Sequence, residues 1–303
     1  MDRDVVIEIN NLTKYYGKSR GIVDVTLNVN RGEIFGFLGP NGAGKTTTIR
    51  TLMDLIRPTK GSARVLGMDP QKEGAKVRNA VGYLPSDFGM SSRETSRQYL
   101  FNLHAMMGKK GYGRIEEIAE IFDLDLDRRI KDLSRGNKQK VGIVSAFMHS
   151  PPLLILDEPT TGLDPLMQQE FYRLLREEKA RGVTVFLSSH ILPEVDAVCD
   201  RVGIIREGRL IVVEPKNSFK KKMGKRMTVS FKDGLDPGMF SRIDGVEVEF
   251  ASDREIILIV SRNVESVIKE LSRYSVVDLS FDEIPLEELF LKYYVVEKGG
   301  GST

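Results

Sequence analysis

Residues 39–46 read Gly-Pro-Asn-Gly-Ala-Gly-Lys-Thr, a Gly-x-x-x-x-Gly-Lys-Thr spacing. They follow the apolar run Ile34–Leu38 and open a helical pattern that carries Ile49, Leu52 and Leu55. Glycines at 39, 42 and 44 let the backbone bend so that successive N–H groups point inward at a phosphate. Lys45 then brings a positive charge to the terminal phosphates, and the Thr46 hydroxyl can ligate Mg²⁺. A second cluster follows Leu153–Leu156, where Asp157 and Glu158 end an apolar run. An adjacent Asp-Glu pair is ordinarily solvated surface charge. Here the four apolar residues before it make the pair cap a buried strand, at the sheet edge where α/β proteins bind ligands. Asp157 suits a metal-holding acid and Glu158 the polarisation of an attacking water. His190 closes Leu-Ser-Ser-His after the run Thr184–Leu187. A lone histidine is more often structural, but its place at a strand end favours contact with a γ-phosphate. Residues 133–140, Leu-Ser-Arg-Gly-Asn-Lys-Gln-Lys, carry Arg135, Lys138 and Lys140 just before the apolar pattern Val141, Ile143, Val144, Phe147, Met148. Such a stretch is either a solvated basic patch or a helix N-terminus that holds a phosphate.

The elements that must position these groups alternate in type. Strand patterns cover Val5–Ile9, Val23–Val29, Glu33–Leu38, Val81–Leu84, Leu153–Leu156, Thr184–Leu187 and Val202–Ile205, and helical patterns start near Lys45, Gly136, Pro165 and Leu192. That alternation predicts an α/β fold, a P-loop NTPase core with a mainly parallel sheet. Residues of about 87–140 depart from it: Gln98–Met107 and Arg114–Phe122 read as helices with no strand between, an inserted helical subdomain. The core spans 1–214. Beyond Pro215 and the run Lys220-Lys221-Lys222, read as a solvated helix face, a smaller α+β domain is predicted over 215–298. Its elements are strand Arg226–Phe231, helix Pro237–Arg242, strands Val246–Phe250 and Glu255–Val260, helix Val264–Leu271, strand Val276–Phe281 and helix Leu286–Val295. The order β-α-β-β-α-β is that of a ferredoxin-like unit. Residues 299–303 read as a flexible tail.

Composition narrows the class. A chain of 303 residues suits two domains, and 41% hydrophobic with 29% charged residues suits a protein with a sizeable core. A net charge of +2 argues against a dedicated nucleic-acid binder, so no nucleic acid is expected as a partner. The single cysteine, Cys199, excludes an intrachain disulfide and a cysteine zinc site, which points to a reducing compartment. The N-terminus lacks the apolar core of a signal peptide, and no run reaches the length of a membrane span. His104 and His149 fall in helical patterns and read as structural.

The set of motifs resembles the nucleotide-binding subunit of an ABC transporter, over about residues 4–213. Residues 39–47 resemble that family's Walker A, so Gly39, Asn41, Gly42, Ala43, Gly44, Lys45, Thr46 and Thr47 are expected to bind ATP. Residues 153–158 resemble its Walker B, and Leu-Ser-Arg-Gly-Asn resembles its signature, usually Leu-Ser-Gly-Gly-Gln. Thr161-Gly162-Leu163-Asp164 resembles the D-loop and His190 the switch histidine; Tyr16 matches the aromatic residue that stacks on adenine. The resemblance implies two such subunits head to tail, a homo- or heterodimer, with ATP between Walker A of one and the signature of the other. Ser134, Gly136 and Asp164 would then serve the partner's nucleotide. It also implies a separate transmembrane permease, attachment at the cytoplasmic face of the cell membrane, and export of an antibiotic or drug.

Three departures stand out. Ser86 replaces the glutamine that in this family contacts Mg²⁺; being shorter, it could reach the metal only through water, so either Asp87 compensates or the contact is weaker here. Arg135 replaces the first paired glycine, and Asn137 the glutamine, of the signature. The alternative is a soluble ABC ATPase acting on ribosomes or DNA. The single cassette, the short interval from Thr46 to Ser134 and the near-neutral charge count against it. A GTPase would need Asn-Lys-x-Asp, whereas residues 137–140 end in Lys140. A regulator that binds ATP without turnover is disfavoured by Lys45, Asp157, Glu158 and His190 together.

Overall fold

The computed structural model describes residues 5–284 apart from 88, 90, 91, 109, 110, 217 and 219–223. The lysines at 220–222, the predicted helix 286–295 and the tail lie outside the described residues. The chain packs as two units, Met1–Glu214 and Pro215–Thr303.

In the first unit, β1 (Val5–Tyr16) and β2 (Ser19–Asn30) form a hairpin, and β4 (Lys60–Val65) pairs on the other side of β1. This sheet is antiparallel, with inward Ile7, Ile9 and Leu12 set opposite Val29, Leu27 and Val25. A second sheet has the order β5-β6-β7-β3-β8-β9: β3 is Ile34–Leu38, β5 Val81–Leu84, β6 Leu153–Asp157, β7 Thr184–Ser189, β8 Arg201–Arg206 and β9 Arg209–Pro215. From β5 to β8 it is parallel. Every residue of β3, β6 and β7 is buried, because one face packs on α1 and the antiparallel sheet and the other is covered by helices, and this is why these strands read as unbroken apolar runs. In register, Leu38 lies opposite Ser189 and Asp157 opposite Ser188. The C-terminal ends of β3, β6 and β7 therefore meet, and with them the three segments that carry the candidate chemistry.

The helices of this unit are α1 (Lys45–Leu52), α2 (Pro70–Ala80), α3 (Ser96–Met106), α4 (Gly113–Ile121), α5 (Arg135–Phe147), α6 (Pro165–Ala180) and α7 (Leu192–Val198). α3 starts on a capping box formed by Thr95 and Gln98. With α4 it packs on α5.

Sequence patterning did not reveal β4, α2 or β9. β4 buries only Ala63 and Val65, so its pairing with β1 rather than its own pattern makes it a strand. α2 starts at Pro70, contains Gly74 and kinks at Glu73 (φ −122°), which breaks the helical signal. β9 joins β8 through Glu207-Gly208, both at positive φ (48° and 74°), the signature of a tight hairpin turn.

In the second unit β10 (Lys225–Phe231), β11 (Val246–Ala251), β12 (Glu255–Val260) and β13 (Val276–Glu283) form an antiparallel sheet of order β11-β12-β10-β13, the strand order of a ferredoxin-like unit. α8 (Val264–Leu271) supplies Val267 and Leu271 to a core with Met227, Val229, Ile256 and Leu258. The predicted helix Pro237–Arg242 is instead a 3₁₀ turn, Pro237–Met239. Gly238 is a poor helix former, and Asp236 takes its N–H at 2.9 Å to fix a turn. Phe240 nevertheless reaches the core.

Candidate active site

The phosphate loop is built between β3 and α1. Gly44 stands at φ 110°, a conformation open to glycine, and a Cβ there would lie 2.7 Å from Ile22 Cγ2. No side chain caps α1, so its first backbone N–H groups remain available to an anion. They face a cavity of about 300 Å³ lined by Tyr16, Arg20, Gly21, Asn41, Gly42, Gly44, Lys45, Thr46, Thr47 and Glu158. Gly39 and Ala43 shape the loop from beneath: the Gly39 N–H donates to the Ser189 carbonyl at 3.2 Å, and the Ala43 N–H to that of Pro40 at 3.1 Å. Tyr16 is exposed at the cavity mouth, its hydroxyl 3.5 Å from Thr47 Oγ1.

Lys45, Glu158 and His190 converge. Lys45 Nζ donates to the carbonyls of Gly39 (2.6 Å) and Pro40 (3.1 Å) and lies 3.2 Å from Glu158 Oε1. The same carboxylate oxygen is 3.3 Å from His190 Nδ1. Glu158 holds φ 51°, a left-handed conformation that costs a non-glycine residue about 1–2 kcal/mol. Its N–H, shared between the Ser188 carbonyl (3.1 Å) and Oγ (3.2 Å), holds it there.

Asp157 is fully buried. Its Oδ1 accepts the Ser188 hydroxyl at 2.5 Å, whereas Oδ2 has no hydrogen-bond partner among the described residues. A buried carboxylate oxygen left open is costly unless a cation meets it. No group of three or more His, Cys, Asp or Glu side chains suited to a metal occurs among the described residues. One carboxylate and one hydroxyl, Thr46, are the sparse protein donor set that suits Mg²⁺ shared with a substrate's phosphates.

Known proteins with this arrangement decide the family. The ABC transporter family model matches residues 22–161. The bacitracin transport ATP-binding protein BcrA of Bacillus licheniformis is 39% identical over 231 residues, 75% of this chain and 76% of that protein. The chain belongs to the ABC transporter family and is an ATPase. An ABC transporter ATP-binding protein of Methanocaldococcus jannaschii is 34% identical over 286 residues, 91% of this chain and 98% of that protein. The solved structure of an ATP-binding subunit of an ABC transporter superposes with a TM-score of 0.66 at 31% identity, covering 72% of this chain and 92% of that one.

In this ABC ATPase Ser134 and Gly136 are not among the residues that line the cavity holding Lys45 and Thr46. Ser134 is exposed and caps α5, its Oγ accepting the Asn137 N–H at 3.3 Å. A Cβ on Gly136 would lie 2.6 Å from the Gly162 carbonyl oxygen, so the Gly162 backbone can approach only a glycine there. Arg135, one residue earlier, is exposed, which explains why a large side chain is tolerated at that position. Asp164 caps α6 through the Met167 N–H at 3.0 Å. Lys138 and Lys140 are half-buried rather than fully solvated. Ser86 is half-buried. It lines a separate cavity of about 240 Å³ with Asp87, Gly89, Arg135, Lys138 and Gln139. Ser86 follows β5, which pairs in parallel with β6 and sets Leu84 opposite Leu156, one residue before Asp157.

Several residues of the ABC site gave no motif signal. Gln139, buried on α5, donates to the Pro159 carbonyl at 2.8 Å and ties the signature helix to the segment after Glu158. Ser188 and Ser189 are visible in sequence only as polar residues at the end of a buried strand. Glu194 lies in the first turn of α7, where an acid is ordinarily a solvated partner of the helix dipole, yet it is 1% exposed. Burial, with the nearby charge of Glu158, pushes its carboxyl up from 4.5 to about 7; the Ser189 and Thr160 hydroxyls restrain the rise. The folded state therefore binds a proton that the unfolded state releases above about pH 4.5, and stability falls as pH rises through 7. Relative to Glu194→Gln, the wild-type ATPase is expected to lose roughly 3 kcal/mol between pH 4.5 and pH 8, at about 1.4 kcal/mol per unit. Paired denaturant titrations across that range measure it; a constant difference refutes the raised carboxyl.

Proposed function

We propose that this ATPase dimerises around ATP, with a second copy or a related subunit, and drives export through a separate membrane permease at the cytoplasmic face of the cell membrane. The carrying observation is that Ser134 and the N-terminus of α5 are exposed and outside the cavity lined by Lys45 and Thr46. A helix start with a serine and a glycine is an anion site; the phosphate it serves then comes from another subunit. The names of the relatives, bacitracin transport and probable multidrug ABC transporter ATP-binding proteins, support an export role. No helix among the described residues is long and apolar enough to cross a membrane, in keeping with a permease on another chain.

In this reading Tyr16 stacks on adenine, and the loop of Gly39, Asn41, Gly42, Ala43, Gly44, Lys45, Thr46 and Thr47 holds the phosphates. Glu158 accepts a proton from the attacking water, and His190 fixes Glu158 Oε1 and contacts the γ-phosphate. Asp157 and Thr46 would hold Mg²⁺, with Ser86 reaching it through water; bound there, the ion offsets phosphate charge. Ser134 and Gly136 close on the γ-phosphate of the facing subunit, and Asp164 holds the D-loop between the two sites. ATP stabilises the closed pair through contacts that ADP cannot make, so hydrolysis reopens it.

Ser134→Ala is expected to lower hydrolysis by about 10- to 100-fold, the value of a hydrogen bond to a charged group, with little change in ATP binding by the separated monomer. A large loss of binding in the monomer places Ser134 in the wrong site. The reading as a whole is tested by purifying the tagged full chain from native membranes. A co-purifying membrane permease is the expected result; a ribosome or DNA in its place overturns the transport reading in favour of the soluble alternative.

A further inference from the structure

Glu194 is a buried acid that the hydrolytic reading leaves without a task, and its contacts converge behind the catalytic groups. The Ser189 hydroxyl donates to Glu194 Oε2 at 2.5 Å and accepts the Ile191 N–H at 2.9 Å. These two bonds pin the chain on either side of His190. The Ser189 carbonyl also accepts the N–H of Gly39, so the same residue braces the first glycine of the phosphate loop. One residue earlier, Ser188 holds Asp157 Oδ1 and the Glu158 N–H. Within this braced run the His190 side chain is 39% exposed, whereas Glu194 is 1% exposed. On its other side Glu194 neighbours Thr160, a buried residue two positions after Glu158. The other ionisable groups turned toward it are Glu158 after β6, and Tyr172 of α6, which itself stands near Cys199.

We propose that Glu194 is a positioning residue for the His190–Glu158 pair, anchoring through Ser189 the loop that carries His190. A seven-residue helix has little rigidity of its own; the carboxyl makes α7 a brace for the loop before it. Without Glu194 the Ser189 hydroxyl has the Ile191 carbonyl, 3.3 Å away, as its remaining acceptor. The hydroxyl would still be bonded, but the loop would lose its anchor to α7. Because the carboxyl is pushed up to about 7, a neutral amide mimics its protonated form.

The inference rests on the roles given above to Glu158 and His190. Steady-state ATPase assays of the full chain, over a range of ATP concentrations, test both. Glu194→Ala and Ser189→Ala are each expected to lower kcat about tenfold or more, since small displacements of a catalytic group are costly, with KM for ATP within about twofold of wild type. The double variant is expected to lose no more than the worse single one, because the two act through one contact. Glu194→Gln, which keeps an acceptor for Ser189, is expected to restore most of kcat. If Glu194→Ala does not fold, Ser189→Ala decides by the same criteria. A kcat within about twofold of wild type in the alanine variants, additive losses, a KM that rises in step with the loss, or a Gln variant as impaired as Ala overturns the inference. His190→Ala separates the two claims. Lost turnover there with full turnover in the Glu194 and Ser189 variants overturns the positioning role alone; full turnover in His190→Ala overturns the site assignment itself.

Discussion

Glu158→Gln is expected to retain ATP and lose turnover by roughly 10²- to 10⁴-fold, the contribution of a positioned general base. The geometry sets the expectation. Glu158 Oε1 is the one acceptor shared by Lys45 and His190, 3.2 Å and 3.3 Å away, and it projects from a backbone held at φ 51°. An amide oxygen can keep both contacts, so the wall of the site persists. It cannot take a proton from water, so the chemical step stops. Removing the carboxylate also removes a negative charge beside the place where the γ-phosphate is expected, and ATP should bind at least as well. Trapped ATP should in turn hold two subunits closed. The measurement is phosphate release together with size-exclusion chromatography in ATP: a monomer–dimer shift in the Gln variant with no hydrolysis is the expected pair of results. Full hydrolysis removes Glu158 from its role, and loss of ATP binding shows that its contact with Lys45 builds the phosphate site.

What the sequence disclosed and what it hid follow from where the information is stored. The phosphate loop was legible because Gly39, Gly42, Gly44, Lys45 and Thr46 act within eight residues through local backbone geometry. Asp157, Glu158 and His190 were legible because strands buried on both faces have unbroken apolar patterns, which mark where each strand must end. The register that brings Asp157 opposite Ser188 and Leu38 opposite Ser189 is a long-range property. The roles of Ser188, Ser189 and Glu194 depend on that register and leave no local mark. The edge strand β4 and the kinked α2 were missed because tertiary pairing and packing, rather than intrinsic propensity, hold them.

Lys45→Ala is expected to abolish nucleotide binding or turnover, and the reason begins before any nucleotide arrives. Lys45 is 4% exposed, and its ammonium is shared among the Gly39 and Pro40 carbonyls and Glu158. Those are acceptors from the start of the loop and from the end of β6, so one cation ties the two halves of the site together. Alanine takes the shared donor from the two carbonyls and leaves Glu158 with the His190 contact alone, a costly arrangement at a largely buried site. It also removes the point charge that the terminal phosphates meet. An effect of about 10²- to 10³-fold on hydrolysis is expected from the lost transition-state charge alone. Arginine should rescue little: its planar fork cannot gather three acceptors around one small cation. Thermal unfolding separates the two contributions. A lower Tm without nucleotide shows that the cross-link between loop and strand was stabilising the fold. An unchanged Tm, with ATP no longer raising it, puts the whole loss in phosphate binding. Wild-type hydrolysis in the alanine variant overturns the placement of the phosphates against α1.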